Sequence, residues 1–552
     1  MSKQITFTVG SLLDDMARRY PDNEALVYPE RNLRLTYKQF NDTCRQIAKG
    51  LLRLGIKKGD NIAIWAYNVP EWVLLQFASA KIGAILVTVN TSYKSAELEY
   101  ILGQSDSTSL FMVGAFKDTN YIETLGGVVP ELASSQAGTL DCPKLPFLKN
   151  VFFIGAETPA GMRNFADIIT MGEGVPDAEL AAVEATLDCH ETINMQYTSG
   201  TTGFPKGVML THYNIVNNGF NIGECMKLTP SDRLCIPVPF FHCFGCVLGV
   251  MACVTHATTM VPVEIFDPLK VLQTIEKEKC TGVHGVPTMF IAELEHPDFK
   301  SFDLSTLRTG IMAGSNCPIE VMKKVNSDMH ASEITIAYGQ TESSPVITQT
   351  RTDDALELRV ATVGRSLPDV ETKIVDIESG ETLPPGKQGE LCTRGYHVMK
   401  GYYKMPEETA RAIDVEGWLH TGDLAIMDEN GYCKITGRIK NMIIRGGENI
   451  YPREIEEFLY THPKVSDIQV YGVPDRKYGE QVMAAIILKK GQGMTEDEVR
   501  DFCQGKIANY KIPKYVKFVE SYPMTASGKI QKFKMREMAI KELELEDMGE
   551  TA

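Results

Sequence analysis

No apolar run in this 552-residue chain approaches the ~18 residues of a membrane span. The opening residues, Met1 to Val9, lack the apolar core of a secretion signal and the arginine-rich pattern of a transit peptide. There is no internal repeat and no low-complexity tract. Basic residues are in the minority, 56 Lys+Arg against 71 Asp+Glu, for a formal charge of -15. That balance disfavours nucleic acid or an anionic membrane as the main partner, while leaving room for a local basic site that binds a nucleotide. The 13 cysteines are odd in number and scattered, so a disulfide framework is not expected and a reducing cytoplasm is. What remains is an ordinary globular composition, 43% apolar and 23% charged. The length corresponds to about three to four units of roughly 150 residues.

The most informative stretch runs Thr198-Ser199-Gly200-Thr201-Thr202-Gly203-Phe204-Pro205-Lys206-Gly207. It packs three glycines, four hydroxyls and one lysine into ten residues. Glycine lets backbone N–H groups converge on an anion, hydroxyls add donors, and lysine adds a point charge. Ile193 to Tyr197 alternates like a strand, and Val208 to Leu210 is followed by Thr211, a fitting N-cap for a helix through Ile215, Val216 and Phe220. The stretch therefore joins two strands. It is not a P-loop, because Gly207 follows Lys206 where Ser or Thr is required. The plain alternative is a glycine-rich surface turn.

Along the chain, Phe40, Cys44, Ile47 and Leu51 form one helical face after a Thr36 cap. Ile62–Trp65, Ile85–Val89 and Leu110–Val113 read as buried strands, with helices near Trp72–Phe77 and Leu98–Leu102. Val283–Val286 and Thr309–Ala313 resume the strand pattern after a loop-like Gly126–Pro146. Strand–helix alternation predicts a doubly wound parallel sheet. Residues 360–437 change to Gly, Pro and short β runs, read as a small β-barrel or distorted sheet. A compact α+β unit comes after 440: helix 452–460, strands 468–473 and 482–488, helix 496–507, strand 515–519, then an acidic tail.

Four further motifs carry chemistry. Tyr338-Gly339-Gln340-Thr341-Glu342 offers an aromatic face, a close backbone approach, a hydroxyl and a carboxylate suited to Mg²⁺. Gly417-Trp418-Leu419-His420-Thr421-Gly422-Asp423 places an acid after a tight turn, where it could accept ribose hydroxyls. Gly437 to Glu448 is charged, then β-like, then glycine-rich; Pro523 to Ile530 sets Lys529 on a small-residue loop. Taken singly, each reads equally as a turn, a linker hairpin or a solvated lysine. Cys243-Phe244-Gly245-Cys246 beside His242 suggests zinc or redox chemistry, yet no second cysteine pair stands at metal spacing.

In this order, from about residue 10 to 540, the motifs resemble those of the adenylate-forming superfamily, which includes acyl-CoA synthetases, peptide-synthetase adenylation domains and luciferases. The resemblance is strongest to medium-chain acyl-CoA synthetases. It implies an α/β protein with a large N-terminal AMP-binding domain, 1–438, of doubly wound subdomains plus the β-barrel-like part. A small mobile α+β domain, 439–552, would hinge at Lys440. It implies activation of a carboxylate with ATP, release of pyrophosphate, and transfer of the acyl group from the adenylate to CoA. By the same resemblance Thr198, Ser199, Gly200, Thr201, Thr202, Gly203 and Lys206 hold the β- and γ-phosphates. Gly314, Ser315, Tyr338, Gly339 and Gln340 surround adenine, Thr341 binds the α-phosphate and Glu342 the Mg²⁺. Asp423 and Arg438 take the ribose, Lys529 reaches carboxylate and α-phosphate, and His242 stands beside the substrate carboxylate. Gly446, Gly447 and Glu448 receive CoA after the small domain turns. Acetyl-specific relatives carry Trp where this chain has Gly339, so a larger, open acyl pocket is expected, shaped by Phe240, Phe244, His284 and Met312. The expected acid is medium-chain, branched, alicyclic or aromatic. No carrier-protein domain is evident, although loading such a carrier is the alternative to CoA. Oligomeric state, homodimer included, and direction of flux stay open.

Overall fold

The computed structural model describes residues 4–198, 205–314, 317–446, 448–525 and 530–545. Strand and helix alternate because local signals punctuate them. The Thr36 hydroxyl accepts the Gln39 N–H at 3.3 Å and starts the helix Tyr37–Arg53, whose Phe40, Cys44, Ile47 and Leu51 are fully buried. Thr211 likewise accepts the Asn214 N–H at 3.1 Å and starts His212–Cys225.

The chain divides into two compact units, Met1–Glu371 with Thr393–Leu419, and Thr372–Cys392 with His420–Ala552. The first holds two large sheets. One runs in the order Gly401–Tyr402, Lys206–Thr211, Thr192–Thr198, Ile85–Thr88, Asn61–Trp65, Ser109–Met112, Asn150–Phe153, Arg163–Asn164. Its interior pairs are parallel, while Thr192–Thr198 and Lys206–Thr211 pair antiparallel with Thr198 opposite Lys206. The glycine-rich stretch thus does connect two strands. The other sheet runs Arg365–Ser366, Val346–Gln349, Glu333–Gly339, Thr309–Met312, Gly282–Gly285, Arg233–Ile236, Thr259–Pro262, Glu24–Tyr28, Leu33–Thr36. Its parallel centre packs Cys235, Val283, Met312, Phe290 and Met322 into one core. Parallel strands buried on both faces are what the continuous apolar runs of the sequence call for.

For the segment 360–437, expected as a small β-barrel or distorted sheet, the sheet is the form observed. Val370–Val375, Gln388–Gly395, Leu419–Met427 and Cys433–Arg438 form an open four-stranded sheet lying largely in the second unit. Four strands are too few to close, since even the smallest barrels with a filled interior use about eight. The helix Pro452–Tyr460 packs on Cys433–Arg438, and the Arg453 guanidinium donates to the Ile435 carbonyl, tying the small sheet to the C-terminal elements. The rest of this unit is the long hairpin Val465–Asp475 with Gly479–Leu488, then Glu496–Cys503, Tyr515–Phe518 and Lys532–Glu542. The helix expected over 496–507 stops at Cys503, just before Gly505 at φ +74°. Among the described residues, no helix is long and apolar enough to cross a membrane.

Candidate active site

Lys206 begins its strand at the end of the glycine-rich stretch, and its ammonium is already engaged. It is bound by the Glu408 carboxylate and lies 5.0 Å from the centre of the Tyr402 ring. Tyr402 sits on the adjacent strand, opposite Val208, and its hydroxyl donates to Glu342 Oε1 at 2.8 Å. One tyrosine therefore touches two predicted site residues, Lys206 with its ring and Glu342 with its hydroxyl. Burial first, and the Glu342 charge second, push the Tyr402 phenol well above its usual range, so it stays a donor. Glu342 keeps a second carboxylate oxygen for another partner. A half-buried carboxylate with a fixed donor on one oxygen suits a hard cation such as Mg²⁺.

Glu342 lies in a short turn, Thr341–Ser343, after the strand Glu333–Gly339. The Pro345 carbonyl closes this turn, accepting the Gln340 N–H at 2.9 Å and the Ser343 hydroxyl at 2.6 Å. A Cβ on Gly339 would stand 1.8 Å from that same carbonyl oxygen. Gly339 is exposed, and the backbone folded against it is what calls for glycine there. Tyr338, opposite Thr348, and Gly314, at φ +91°, end neighbouring parallel strands. Ligands of such sheets gather at the carboxyl ends of the strands.

His242 is half-buried, and its Nδ1 accepts the Phe244 N–H at 3.1 Å. From Phe244 to Met251 the chain winds as a π-helix, a form enriched at functional sites. The paired cysteines are free thiols. The Cys243 thiol donates to Gln196 Oε1 at 2.8 Å, and Gln196 Nε2 donates to the Cys246 sulfur at 3.1 Å. Burial pushes Cys246 up to about 12 and Cys243 far above the thiol range, with Thr341 hydrogen-bonding Cys243 and pulling the other way. Metal binding and disulfide exchange need thiolate. In this structure the two thiols clasp one amide.

His284 is fully buried, donates from Nε2 to the Leu248 carbonyl at 3.0 Å and accepts the Ile311 N–H on Nδ1 at 3.2 Å. Burial lowers it to about 4. It pins the π-helix and lies 5.5 Å from Phe244, so these two expected pocket residues do meet. Met312 does not join them. It pairs with Gly285 and faces the opposite side of the sheet, in the Val283 core.

In the second unit, Asp423 and Arg438 face each other across paired strands, Oδ1 to Nε at 2.8 Å. Asp423 is only 3% exposed. Its turn is held by Glu390, whose Oε1 accepts the Gly422 N–H at 2.9 Å and whose Oε2 meets His420 Nδ1 at 2.8 Å. Cys392 lies 3.4 Å from the same nitrogen. Lys440 is exposed in the turn Ile439–Asn441. Gly446, at φ +59°, precedes the strand Glu448–Ile450, and the preceding Arg445 guanidinium sits 4.2 Å over the Tyr478 ring. Ser199, Gly200, Thr201, Thr202, Gly203, Ser315, Gly447 and Lys529 lie outside the described residues. Thr198 ends its strand opposite Lys206. Sequence reasoning missed Tyr402, Glu408, Gln196 and Glu390. Only Gln196 gave a signal, as a polar side chain in the middle of a buried strand.

With this geometry in place, comparison with known proteins is direct. Residues 13–403 match the AMP-binding enzyme family and residues 454–529 match the AMP-binding enzyme C-terminal domain. The chain belongs to the AMP-binding enzyme family. Within it, the chain is an acyl-CoA synthetase, an AMP-forming acid–thiol ligase. It is 60% identical over 540 residues, 98% of each chain, to YngI of Bacillus subtilis (strain 168). It is 44% identical to the mitochondrial medium-chain acyl-CoA ligase ACSF2 of Bos taurus, covering 98% of this chain and 88% of that one. Among solved structures, the anthranilate CoA ligase AuaEII in complex with anthranoyl-AMP superposes with a TM-score of 0.85 at 27% identity, covering 98% and 99% of the two chains. ATP-bound MatB from Rhodopseudomonas palustris gives 0.82 at 27% identity, covering 97% and 99%.

Proposed function

We propose that this enzyme joins a medium-chain carboxylic acid to CoA through an acyl-adenylate made from ATP. The observation that carries the reading is the cluster Lys206, Tyr402 and Glu342, which sets an ammonium, a phenol and a carboxylate at the end of the glycine-rich stretch. Attack of a carboxylate on an α-phosphate brings two anions together, so positive charge and positioning carry the catalysis. Lys206 and the residues from Thr198 to Gly203 hold the β- and γ-phosphates, and Thr341 donates to the α-phosphate. Glu342 binds Mg²⁺, which supplies further neutralisation when bound. Gly314, Ser315, Tyr338, Gly339 and Gln340 embrace the adenine, Asp423 with Arg438 the ribose. His242 orients the acid, its Nδ1 already occupied by the Phe244 N–H so that Nε2 carries the proton. Lys529 bridges acid and phosphate in the first half-reaction.

For the second half-reaction, Gly446, Gly447 and Glu448 line the path of the pantetheine arm, and the chain turns at Lys440, exposed in its short turn. The parts that move are 1–438 and 439–552. A medium-chain acid is favoured by the ACSF2 likeness. Pocket volume discriminates by only ~1–3 kcal/mol per methylene, so branched, alicyclic and aromatic acids belong in the same trial. The cytoplasm is the proposed compartment. The test is a panel of carboxylic acids scored for AMP release with ATP, with and without CoA and Mg²⁺. A maximum for medium-chain acids, dependent on CoA, supports the reading; AMP release indifferent to CoA overturns it in favour of a carrier-loading enzyme. Lys529→Ala should abolish adenylate formation, while a bulky residue at 447 should spare it and stop thioester formation.

A further inference from the structure

Glu408 was given no role in the proposed reaction, yet its carboxylate occupies the ammonium proposed to bind polyphosphate. Its carboxylate binds Lys206 and also takes the Arg411 guanidinium. The contact is built in. The strand Gly401–Tyr402 pairs with Lys206–Thr211, and the Tyr403 N–H donates to the Gly207 carbonyl at 2.7 Å. The Tyr402 N–H donates to Thr409 Oγ1 at 2.9 Å, locking the helix Pro406–Ala412 to that strand. A Cβ on Gly401 would come within 2.9 Å of the Thr409 side chain, so the close approach needs glycine there. The helix carrying Glu408 is therefore fixed to the same sheet edge as Lys206, and the Tyr402 ring backs the ammonium.

We propose that Glu408 is a resident counter-ion of Lys206, which a polyphosphate must displace and a monophosphate need not. The carboxylate makes the site discriminate: it weakens binding of ATP and pyrophosphate, which reach for Lys206, and leaves AMP untouched. It also speeds departure of pyrophosphate, because a ready partner recaptures the lysine. The Lys206 ammonium holds the Glu408 carboxyl below its usual range, so the counter-ion stays charged wherever the enzyme works. The inference rests on the reading of Lys206 as a polyphosphate ligand.

The test is calorimetric titration of the full-length enzyme with pyrophosphate, a non-hydrolysable ATP analogue and AMP. Glu408→Gln should tighten the first two by roughly two- to fivefold, the scale of a partly exposed ion pair, and leave AMP unchanged. Glu408→Asp, which keeps the charge, should bind all three more nearly as the parent does. In a Lys206→Ala background the Glu408→Gln effect should vanish. If Lys206→Ala weakens ATP-analogue binding but Glu408→Gln does not tighten it, the counter-ion role is overturned while the reading of Lys206 stands. If Lys206→Ala leaves all three ligands unaffected, the polyphosphate role of Lys206 fails and the counter-ion role falls with it. Equal tightening of AMP would also overturn it, as a general charge effect rather than competition for one lysine.

Discussion

Gly339→Ala adds one carbon at a point where the structure leaves no room. That carbon would lie 1.8 Å from the Pro345 oxygen, 2.8 Å from its carbonyl carbon and 3.0 Å from the Ile347 nitrogen. All three are backbone atoms, so no side chain can swing aside. A tolerable carbon–oxygen contact requires the turn to open by roughly 1 Å or more. The carbonyl that must retreat is the one holding the Gln340 N–H and the Ser343 hydroxyl, and Thr341 and Glu342 lie between those two. The stability cost is that of overpacking, about 1–3 kcal/mol, readable as a lower thermal midpoint. The functional cost is larger, since a displacement of about 1 Å in a positioning group can lose on the order of 10²-fold in rate. ATP–pyrophosphate exchange with a medium-chain acid isolates adenylate formation and should fall by about that factor. Conversion of preformed acyl-adenylate to thioester should fall far less, showing that the variant folds. Exchange within threefold of the parent, in a protein melting at the parent temperature, would refute the argument that this glycine positions Thr341 and Glu342.

Asp423→Ala should raise the ATP KM at least tenfold and lower stability by about 1–3 kcal/mol, because Arg438 loses its ion-pair partner across the strands; titration and chemical denaturation check both. Replacing Cys243 and Cys246 together by Ser should leave turnover within a few-fold of the parent and independent of thiol oxidants, with no bound metal by elemental analysis. His284 binds its proton near pH 4 when folded and near 6.5 when unfolded, so the unfolded state holds more protons between those values. Stability from this group is present above about pH 6.5 and is lost as pH falls toward 4, an effect of about 3 kcal/mol over the window. His284→Asn should flatten the acid side of the stability profile by about one proton, seen in denaturation at successive pH values.

Much of the layout was readable along the chain because it depends on neighbours in sequence. Thr36 and Thr211 announce their helices by capping chemistry. The strands at 62–65, 85–88 and 110–112 announce themselves as short apolar runs. Asp423 and Arg438 stood out because motif spacing marked them, and their pairing comes from a hairpin-like connection between adjacent strands. Tyr402 and Glu408 did not stand out, because nothing between positions 206 and 402 records that two strand edges will meet. Met312 was misplaced for a related reason. Which face of a strand points at which layer depends on register with its neighbours, and a one-residue change of register reverses it.

Taken alone, then, the order of motifs determined the family and the reaction type, because adenylate chemistry demands particular groups at short, readable spacings. Only the tertiary structure decided that the small sheet stays open, that Cys243 and Cys246 share one amide, and that Lys206 is held by Glu408. Those outcomes arise from strands distant in the chain coming into register and from burial setting which groups carry charge. Neither long-range register nor dielectric environment is a property of a linear sequence.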